Sequence, residues 1–365
     1  MIAYKELCNM SETLPKVLLT FRIGGENGGP YVSHKRILES DLRKKYDIKP
    51  LFIENPRKMR NPKIFLSTVR RIKAEKPDIV HLAGLGTEGF LMMLACRLAR
   101  VKTVVAIRGS ATEAIGFNRF ENFIFRLIEG YTVRKADMVY GVSDYVSSWR
   151  ICKKAKKYFG TIYNIPSFSY ADTGEQCFRS GLCIKPDDVV VASTGRITKD
   201  KGFDTLSQII ITLKDYDNIK FVIAGDGNFK DDMKKELLMA GAKKNTYFLG
   251  YQKDVDSILK ESDIFIICTK HETLCNSLLE AGADSLPLIA SNVGGIPEII
   301  KHGENGFLVE PHDVNGFCKA ILLLAEDKDK REAMGVSAKN TIDSKFSADQ
   351  ILPKLNQIYQ MVLKK

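Results

Sequence analysis

Two carboxylates with seven residues between them, Glu272 and Glu280, stand where a strand hands over to a helix. Asp263-Ile-Phe-Ile-Ile-Cys268 reads as a fully buried strand. A short polar turn with His271 and Glu272 follows, and a helix opens at Asn276 or Ser277 and carries Glu280 in its first turn. In open α/β sheets ligands bind at the carboxyl ends of strands, and the free N–H groups of a helix start attract anions. Upstream, Gly195-Arg196 and Lys201-Gly202-Phe203 supply two cations at the end of another apolar run. Carboxylates for hydroxyls, with cations and N–H groups for phosphate, suit a polyhydroxylated, phosphate-bearing ligand. The same residues admit a plainer reading, because Ser277-Leu-Leu-Glu280 is also a capping box.

The elements that must position these residues alternate strand and helix, the pattern of βαβ units and a parallel sheet. In the first half, strands fall at Lys16–Ile23, Lys49–Glu54, Asp78–Ala83, Thr103–Ile107, Asp137–Val142 and Tyr158–Tyr163. Helices fall between them at 31–46, 62–76, 90–99 and 118–135. The polar segment Ser167–Asp187 carries Gly174, Gly181 and Pro186 and reads as the boundary between domains. A second alternating series then runs through Val189–Ser193, Lys220–Ala224, Thr246–Leu249, Asp263–Cys268, Pro287–Ser291 and Gly306–Val309. From Asp313 the chain is helical, and Pro353 is expected to bend or restart the last helix. The domains expected are 1–170, 187–345 and a terminal helix over 346–365.

Three motifs in order, Gly-Arg-x4-Lys-Gly (Gly195–Gly202), Glu-x7-Glu (Glu272–Glu280) and Gly-Gly-Ile-Pro-Glu (Gly294–Glu298), resemble the retaining nucleotide-sugar glycosyltransferases of family 4. The resemblance runs from about Val189 to Pro311 and is much weaker before that. It implies an α/β fold of two Rossmann-like parallel-sheet domains facing a cleft (GT-B), with the C-terminal helix crossing back to the first domain. By resemblance, Arg196 and Lys201 stabilise the departing diphosphate, Glu272 holds the donor-sugar hydroxyls and Glu280 the ribose hydroxyls. Main chain around Leu274, Cys275, Asn276, Ser277 and Leu278 would grip sugar and phosphate. The loop near Tyr251 would meet the base, Gly225 and Gly227 would open the wall nearby, and Gly28 and Gly29 would lie against the phosphate from the first domain. Where the family often carries a histidine, Val105-Ala-Ile-Arg108 ends in arginine, whose planar fork suits a phosphate or carboxylate. His81 lies in the preceding strand, and its register is open.

The resemblance further implies a hexosyl- or N-acetylhexosaminyltransferase that needs no metal. Two cations and a helix start supply the positive field that the leaving oxygen requires. Asp-x-Asp pairs at Asp215/Asp217, Asp254/Asp256 and Asp327/Asp329 sit in polar stretches and read as surface. The partners expected are a nucleotide-sugar donor, UDP favoured over GDP, and a lipid-linked or oligosaccharide acceptor in bacterial envelope polysaccharide synthesis. A rival reading rests on Gly84-Leu-Gly86-Thr-Glu-Gly89, a complete dinucleotide fingerprint between strand and helix, with Arg108 placed to receive the 2′-phosphate of NADP. A third is a non-catalytic sugar-nucleotide-binding protein.

The charge is unevenly spread. Of the net +11, residues 1–180 hold 31 Lys and Arg against 17 Asp and Glu, and the remainder 24 against 27. The basic half suits an anionic membrane surface, to which each nearby cation adds about 1 kcal/mol. Arg43-Lys44-Lys45, Arg57-Lys58-x-Arg60 and Lys153-Lys154-x-Lys156-Lys157 are the densest clusters. No nucleic-acid motif accompanies them, so no nucleic-acid partner is expected. The longest apolar patch noted, Gly89–Cys96, is far short of the ~18 residues that span a bilayer. Eight cysteines without a Cys-x-x-Cys pair suit a reducing compartment without structural zinc. The beginning of the chain shows no signal-peptide core, and the expected location is cytoplasmic, on the inner face of the cell membrane.

Overall fold

A computed structural model describes residues 14–25, 28–112, 118–166 and 178–364. The chain divides into two compact units, one comprising Met1–Val142, Val146–Ile162 and Leu352–Lys365, the other Ser143–Tyr145 and Tyr163–Ile351. Part of the segment read as the domain boundary, 167–177, lies outside the described residues, and Phe178–Gly181 within the rest of it forms a short helix.

The first unit is built on six parallel strands: β1 (Lys16–Arg22), β2 (Asp47–Ile53), β3 (Ile79–Leu82), β4 (Lys102–Ile107), β5 (Met138–Gly141) and β6 (Tyr158–Thr161), in the order β2-β1-β3-β4-β5-β6. The inner strands are near-continuous apolar runs because helices cover both faces of a parallel sheet. Among the described residues, the helices of ten residues or more between these strands are α1 (Gly29–Leu38), α2 (Pro62–Glu75), α3 (Gly86–Ala99) and α4 (Arg119–Lys135). Local chemistry sets their ends. Asn61 caps α2 ahead of Pro62, and Lys76 stops it in the left-handed region at φ 46°. Asn118 and Glu121 form a capping box at the start of α4.

Two expected helices differ. The first, read as 31–46, stops at Leu38, because the Ser40 hydroxyl accepts the N–H of Leu42 and turns the chain into a 3-10 segment, Asp41–Lys44. The third begins at Gly86, a turn before Phe90, since Gly86 enters it at φ +67°. A further short helix, Pro56–Met59, is capped by Asn55.

His81, on β3, is fully buried, and its register is now fixed in the core. Its Nδ1 lies 2.9 Å from the hydroxyl of Tyr359 and its Nε2 3.1 Å from that of Tyr140. Tyr359 belongs to the last helix, α10 (Ala348–Leu363), which runs through Pro353 without a break. Tyr46 stacks edge-on against Tyr359 and donates to Asn356 Oδ1 at 2.8 Å, and Lys102 donates to the carbonyl of Val362 at 3.1 Å. From Leu352 onward the terminal helix is thus part of the first unit, as the resemblance implies.

The second unit repeats the plan with β7 (Val189–Thr194), β8 (Ile219–Ala224), β9 (Thr246–Gly250), β10 (Ile264–Ile267), β11 (Leu288–Ser291) and β12 (Gly306–Val309), ordered β12-β11-β10-β7-β8-β9. Its helices of eight residues or more are α5 (Phe203–Thr212), α6 (Lys230–Met239), α7 (Asn276–Ala283), α8 (Val314–Glu326) and α9 (Lys328–Lys345). Val191, Phe203, Ile209, Phe221, Ile264, Ile266, Phe317 and Ile321 belong to one buried cluster that joins β7, β8 and β10 to α5 and α8.

A second histidine, His34 on α1, is buried with its ring 4.7 Å from that of His81. Desolvation and the charge of Arg108 outweigh a hydrogen bond to the Thr20 carbonyl and lower its pKa from 6.5 to about 3. Such a group takes its proton only after unfolding. Its contribution is therefore complete above about pH 6.5 and is lost as pH falls toward about 3. Urea unfolding is expected to show roughly 2–3 kcal/mol less stability per such histidine at pH 4.5 than at 6.5. The loss should be smaller in His34→Gln, and an equal loss in that variant would contradict the assignment.

Candidate active site

All strands of the second sheet are parallel, so their carboxyl ends share one edge. The order reverses between β7 and β10, with β8 and β9 on one side and β11 and β12 on the other. That reversal parts the loops and leaves a crevice. The loop after β7 carries Arg196, exposed, and Lys201, half-buried, before α5 begins at Phe203. The loop after β10 carries Glu272. Lys201 Nζ and Glu272 Oε2 meet across the crevice at 2.7 Å.

At an effective dielectric near 20 this pair attracts by about 6 kcal/mol in gross terms, much of which is returned as desolvation. Its importance lies in placement more than in stability. Burial alone would lower the Lys201 pKa, and the charge and hydrogen bond of Glu272 overcome it, so that the net shift is upward. Lys201 stays a cation, and an ammonium has three donors. One goes to Glu272, which leaves donors for an anion.

Backbone approach holds the loops together. Gly225, at φ +150°, lies so close to the Gly195 carbonyl that an added Cβ would fall 1.8 Å from its oxygen. The Gly225 N–H donates to the Gly250 carbonyl at 2.7 Å, which brings the exposed Tyr251 to the rim of the same edge. Gly225 and Gly227 therefore let this wall pack closely on the β7 loop, where a Cβ would strike the carbonyls of Gly195 and Ile197. On the other side, Gly294, at φ +57°, presses on Glu272, where a Cβ would lie 1.7 Å from the carbonyl oxygen. The Gly295 N–H donates to that same carbonyl at 3.2 Å. The Gly-Gly-Ile-Pro-Glu motif is thus a backbone clamp on the loop of Glu272.

Helix α7 corrects the capping-box reading. It opens at Asn276 with Cys275 as N-cap, and Cys275 makes no side-chain cap. The Ser277 hydroxyl donates instead to the Thr194 carbonyl at 3.4 Å, tying α7 to the end of β7. Helix starts leave N–H groups without helical partners, so α7 can offer them to a ligand. Leu274, Cys275 and Leu278 have buried side chains, and only their main chain is available. Burial, reinforced by Glu272, pushes the Cys275 thiol up to about 12, so it is no nucleophile. Glu280 is the fifth residue of α7, at the start of the second turn and not in the first, one turn along from Asn276.

Gly28, Gly29 and Arg108 belong to the first unit. Gly28 is the N-cap of α1 and Gly29 its first residue; Glu26 and Asn27 of the same loop lie outside the described residues. Arg108 follows β4, beside the buried tyrosine and histidine cluster. Burial lowers its pKa, the charge of Arg36 adds to that, and Tyr140 and Tyr359 oppose it. In the fingerprint Gly84–Gly89, Glu88 sits in the first turn of α3 and pairs with Arg22 at 3.9 Å. A carboxylate at that helix start repels the pyrophosphate that the fingerprint would hold.

Two family models match the chain. One described as glycosyl transferases group 1 covers residues 178–341, and one described as a glycosyl transferase 4-like domain covers 52–149. The chain belongs to the family 4-type glycosyltransferases. Among curated relatives, this glycosyltransferase is 27% identical over 333 residues to the UDP-Gal:α-D-GlcNAc-diphosphoundecaprenol α-1,3-galactosyltransferase of Escherichia coli, spanning 87% of this chain and 84% of that one. It is 26% identical over 313 residues to the capsular polysaccharide biosynthesis glycosyltransferase CapM of Staphylococcus aureus, at 83% and 81% coverage. The solved structure of Anabaena HepE in complex with UDP-glucose shares its GT-B fold, with a TM-score of 0.78 at 18% identity over 96% of this chain and 100% of that one. Neither family model speaks for a nicotinamide enzyme.

The sequence reading missed two supports of this glycosyltransferase's site. Asn164 Nδ2 donates to Asn276 Oδ1 at 2.9 Å and orients the first residue of α7. Glu298 accepts the N–H groups of Asp144 and Tyr145 at 2.8 and 2.7 Å, which sets the Tyr145 ring 6.5 Å from that of His271. Both pairs lie more than a hundred residues apart in sequence, and no local signal announces them.

Gly294→Ala combines a left-handed φ with a carbonyl in the way. We expect a loss of at least about 2 kcal/mol in urea unfolding. Gly241→Ala, also at positive φ but with open space at its Cβ, should lose only the conformational part, about 1–2 kcal/mol. Equal losses would contradict the clamp.

Proposed function

We propose that the chain moves a sugar from a nucleoside diphosphate sugar to a lipid-linked or glycan acceptor, with retention at the anomeric carbon and without a metal. The observation that carries this reading is the Lys201–Glu272 pair at the β7/β10 crossing, with Arg196 beside it and α7 opening next to it. In this scheme the diphosphate lies against Arg196, Lys201 and the start of α7. Glu272 takes donor-sugar hydroxyls and Glu280 the ribose hydroxyls. The bond between the anomeric carbon and the phosphate oxygen breaks, and the acceptor oxygen bonds on the same face. The acceptor's proton passes to the departing phosphate. Charge that develops on the leaving oxygen meets two fixed cations, so the residues supply what a metal would.

UDP is favoured over GDP. The E. coli relative is named for UDP-Gal and the Anabaena neighbour was solved with UDP-glucose. The same relative's acceptor is a diphosphoundecaprenol-linked sugar, and CapM is named for capsule synthesis. They favour a hexose or N-acetylhexosamine transferred to an envelope glycan intermediate at the inner face of the cell membrane. The first unit would take the acceptor, in keeping with the positive balance of residues 1–180.

Melting in the presence of UDP, GDP, ADP or NADP, with and without EDTA, tests the donor. UDP at 100 times its dissociation constant should stabilise by about 2.7 kcal/mol, and the shift should survive EDTA. A shift with NADP alone would overturn the proposal, and one abolished by EDTA would overturn its metal independence. Turnover tests the mechanism. Arg196→Ala and Lys201→Ala should each lower kcat by roughly 100- to 1000-fold, the usual effect of removing one contact to developing charge. Near-normal rates in both would refute the assignment.

A further inference from the structure

Helix α4 presents an apolar stripe to solvent. Phe120, Phe123, Ile124 and Leu127 are 73%, 56%, 40% and 51% exposed, and their spacing of three, four and seven puts them on one face. The opposite face is committed to the protein: Glu129, Gly130, Thr132 and Val133 are buried, and Tyr131 meets Phe90 of α3 edge-on at 5.5 Å. Large exposed aromatic residues grouped this way are unusual on a monomer and mark a contact surface.

Charge selects the partner. Of the two acids of α4, Glu129 is buried and accepts the Ser110 hydroxyl and the Ala111 N–H, the latter at 2.8 Å, whereas Glu121 is exposed and held in its capping box. Arg119, Arg126 and Arg134 make no ion pair among the described residues, and Lys135 lies over the Tyr131 ring. In two of the basic clusters noted in the sequence one lysine is paired, Lys44 with Asp41 at 3.0 Å and Lys58 with Glu54 at 3.1 Å. An apolar stripe flanked by unneutralised cations is the make-up of a helix that lies in a lipid interface. We infer that α4 docks the first unit onto an anionic bilayer, with Phe120, Phe123, Ile124 and Leu127 in the acyl boundary and the arginines at the headgroups. The inference deepens the proposed function, since a lipid-linked acceptor is met only at such a face.

Co-sedimentation with vesicles of equal phosphatidylglycerol and phosphatidylcholine tests it, with melting in UDP as a parallel readout. Salt at about 0.5 M shortens the reach of charge to a few ångströms and isolates the apolar part of the binding. The wild type should remain bound there. The triple variant Phe120→Ser/Phe123→Ser/Leu127→Ser should lose at least about tenfold in partitioning and keep its melting shift with UDP. Arg119→Gln/Arg126→Gln should weaken binding only at low salt. Wild type that fails to bind, or a triple variant that binds as well as wild type, would overturn the inference. So would sedimentation equilibrium revealing a dimer that the triple variant dissolves, because a second copy would then cover the stripe. A UDP shift lost in the wild type itself would fault the transferase proposal instead.

Discussion

The second unit depends on bringing a cation and a carboxylate from two separate strand ends to one point. Lys201 and Glu272 are 71 residues apart in sequence and 2.7 Å apart in space. Only the crossing between β7 and β10 makes that meeting possible, because it alone separates the loops of neighbouring strands enough to leave room beside the pair. The pair contributes little net stability, so other groups must hold it. Main-chain contacts at glycine do so on both sides, with Gly294 and Gly295 against the Glu272 loop and Gly225 against the loop of Arg196. A side chain at any of these points would push a loop out by more than the tolerance of a hydrogen bond. The geometry for phosphate and sugar is therefore a consequence of backbone packing.

The first unit uses the same sheet plan for a different end. Its strand-order reversal falls between β1 and β3, and the chain there carries glycine-rich loops and an Arg22–Glu88 pair in place of the two-cation arrangement. Behind that edge, His34, His81, Tyr140 and Tyr359 form a buried polar cluster that binds the terminal helix into the unit. Burial keeps both histidines uncharged at neutral pH. They serve the packing of α10, and the unit's exposed chemistry is its arginines and the stripe on α4.

Much of this was legible in the sequence, for physical reasons. Strands of a parallel sheet are buried on both faces, so each stands out as a short apolar run. Residues that follow such runs lie at one edge, and the resemblance to family 4 implied that Arg196, Lys201 and Glu272 share one site there. What escaped depended on partners far along the chain. Ser277 looked like a cap, but its hydroxyl goes to Thr194. Glu298 stood out only as the end of the Gly-Gly-Ile-Pro-Glu motif, and its carboxylate holds Asp144 and Tyr145. Register decided His81, and a one-residue slip would have turned it to the other face. The early end of α1 was written locally, in Ser40, whose hydroxyl accepts the N–H of Leu42.

A crystal structure with UDP bound tests the central claim most directly. The account requires the diphosphate within hydrogen-bonding distance of Arg196 and Lys201 and the ribose at Glu280. The Lys201–Glu272 pair should either persist or open to admit the phosphate. Density for the nucleotide at Gly84–Gly89 instead, with the β7/β10 crossing empty, would contradict it.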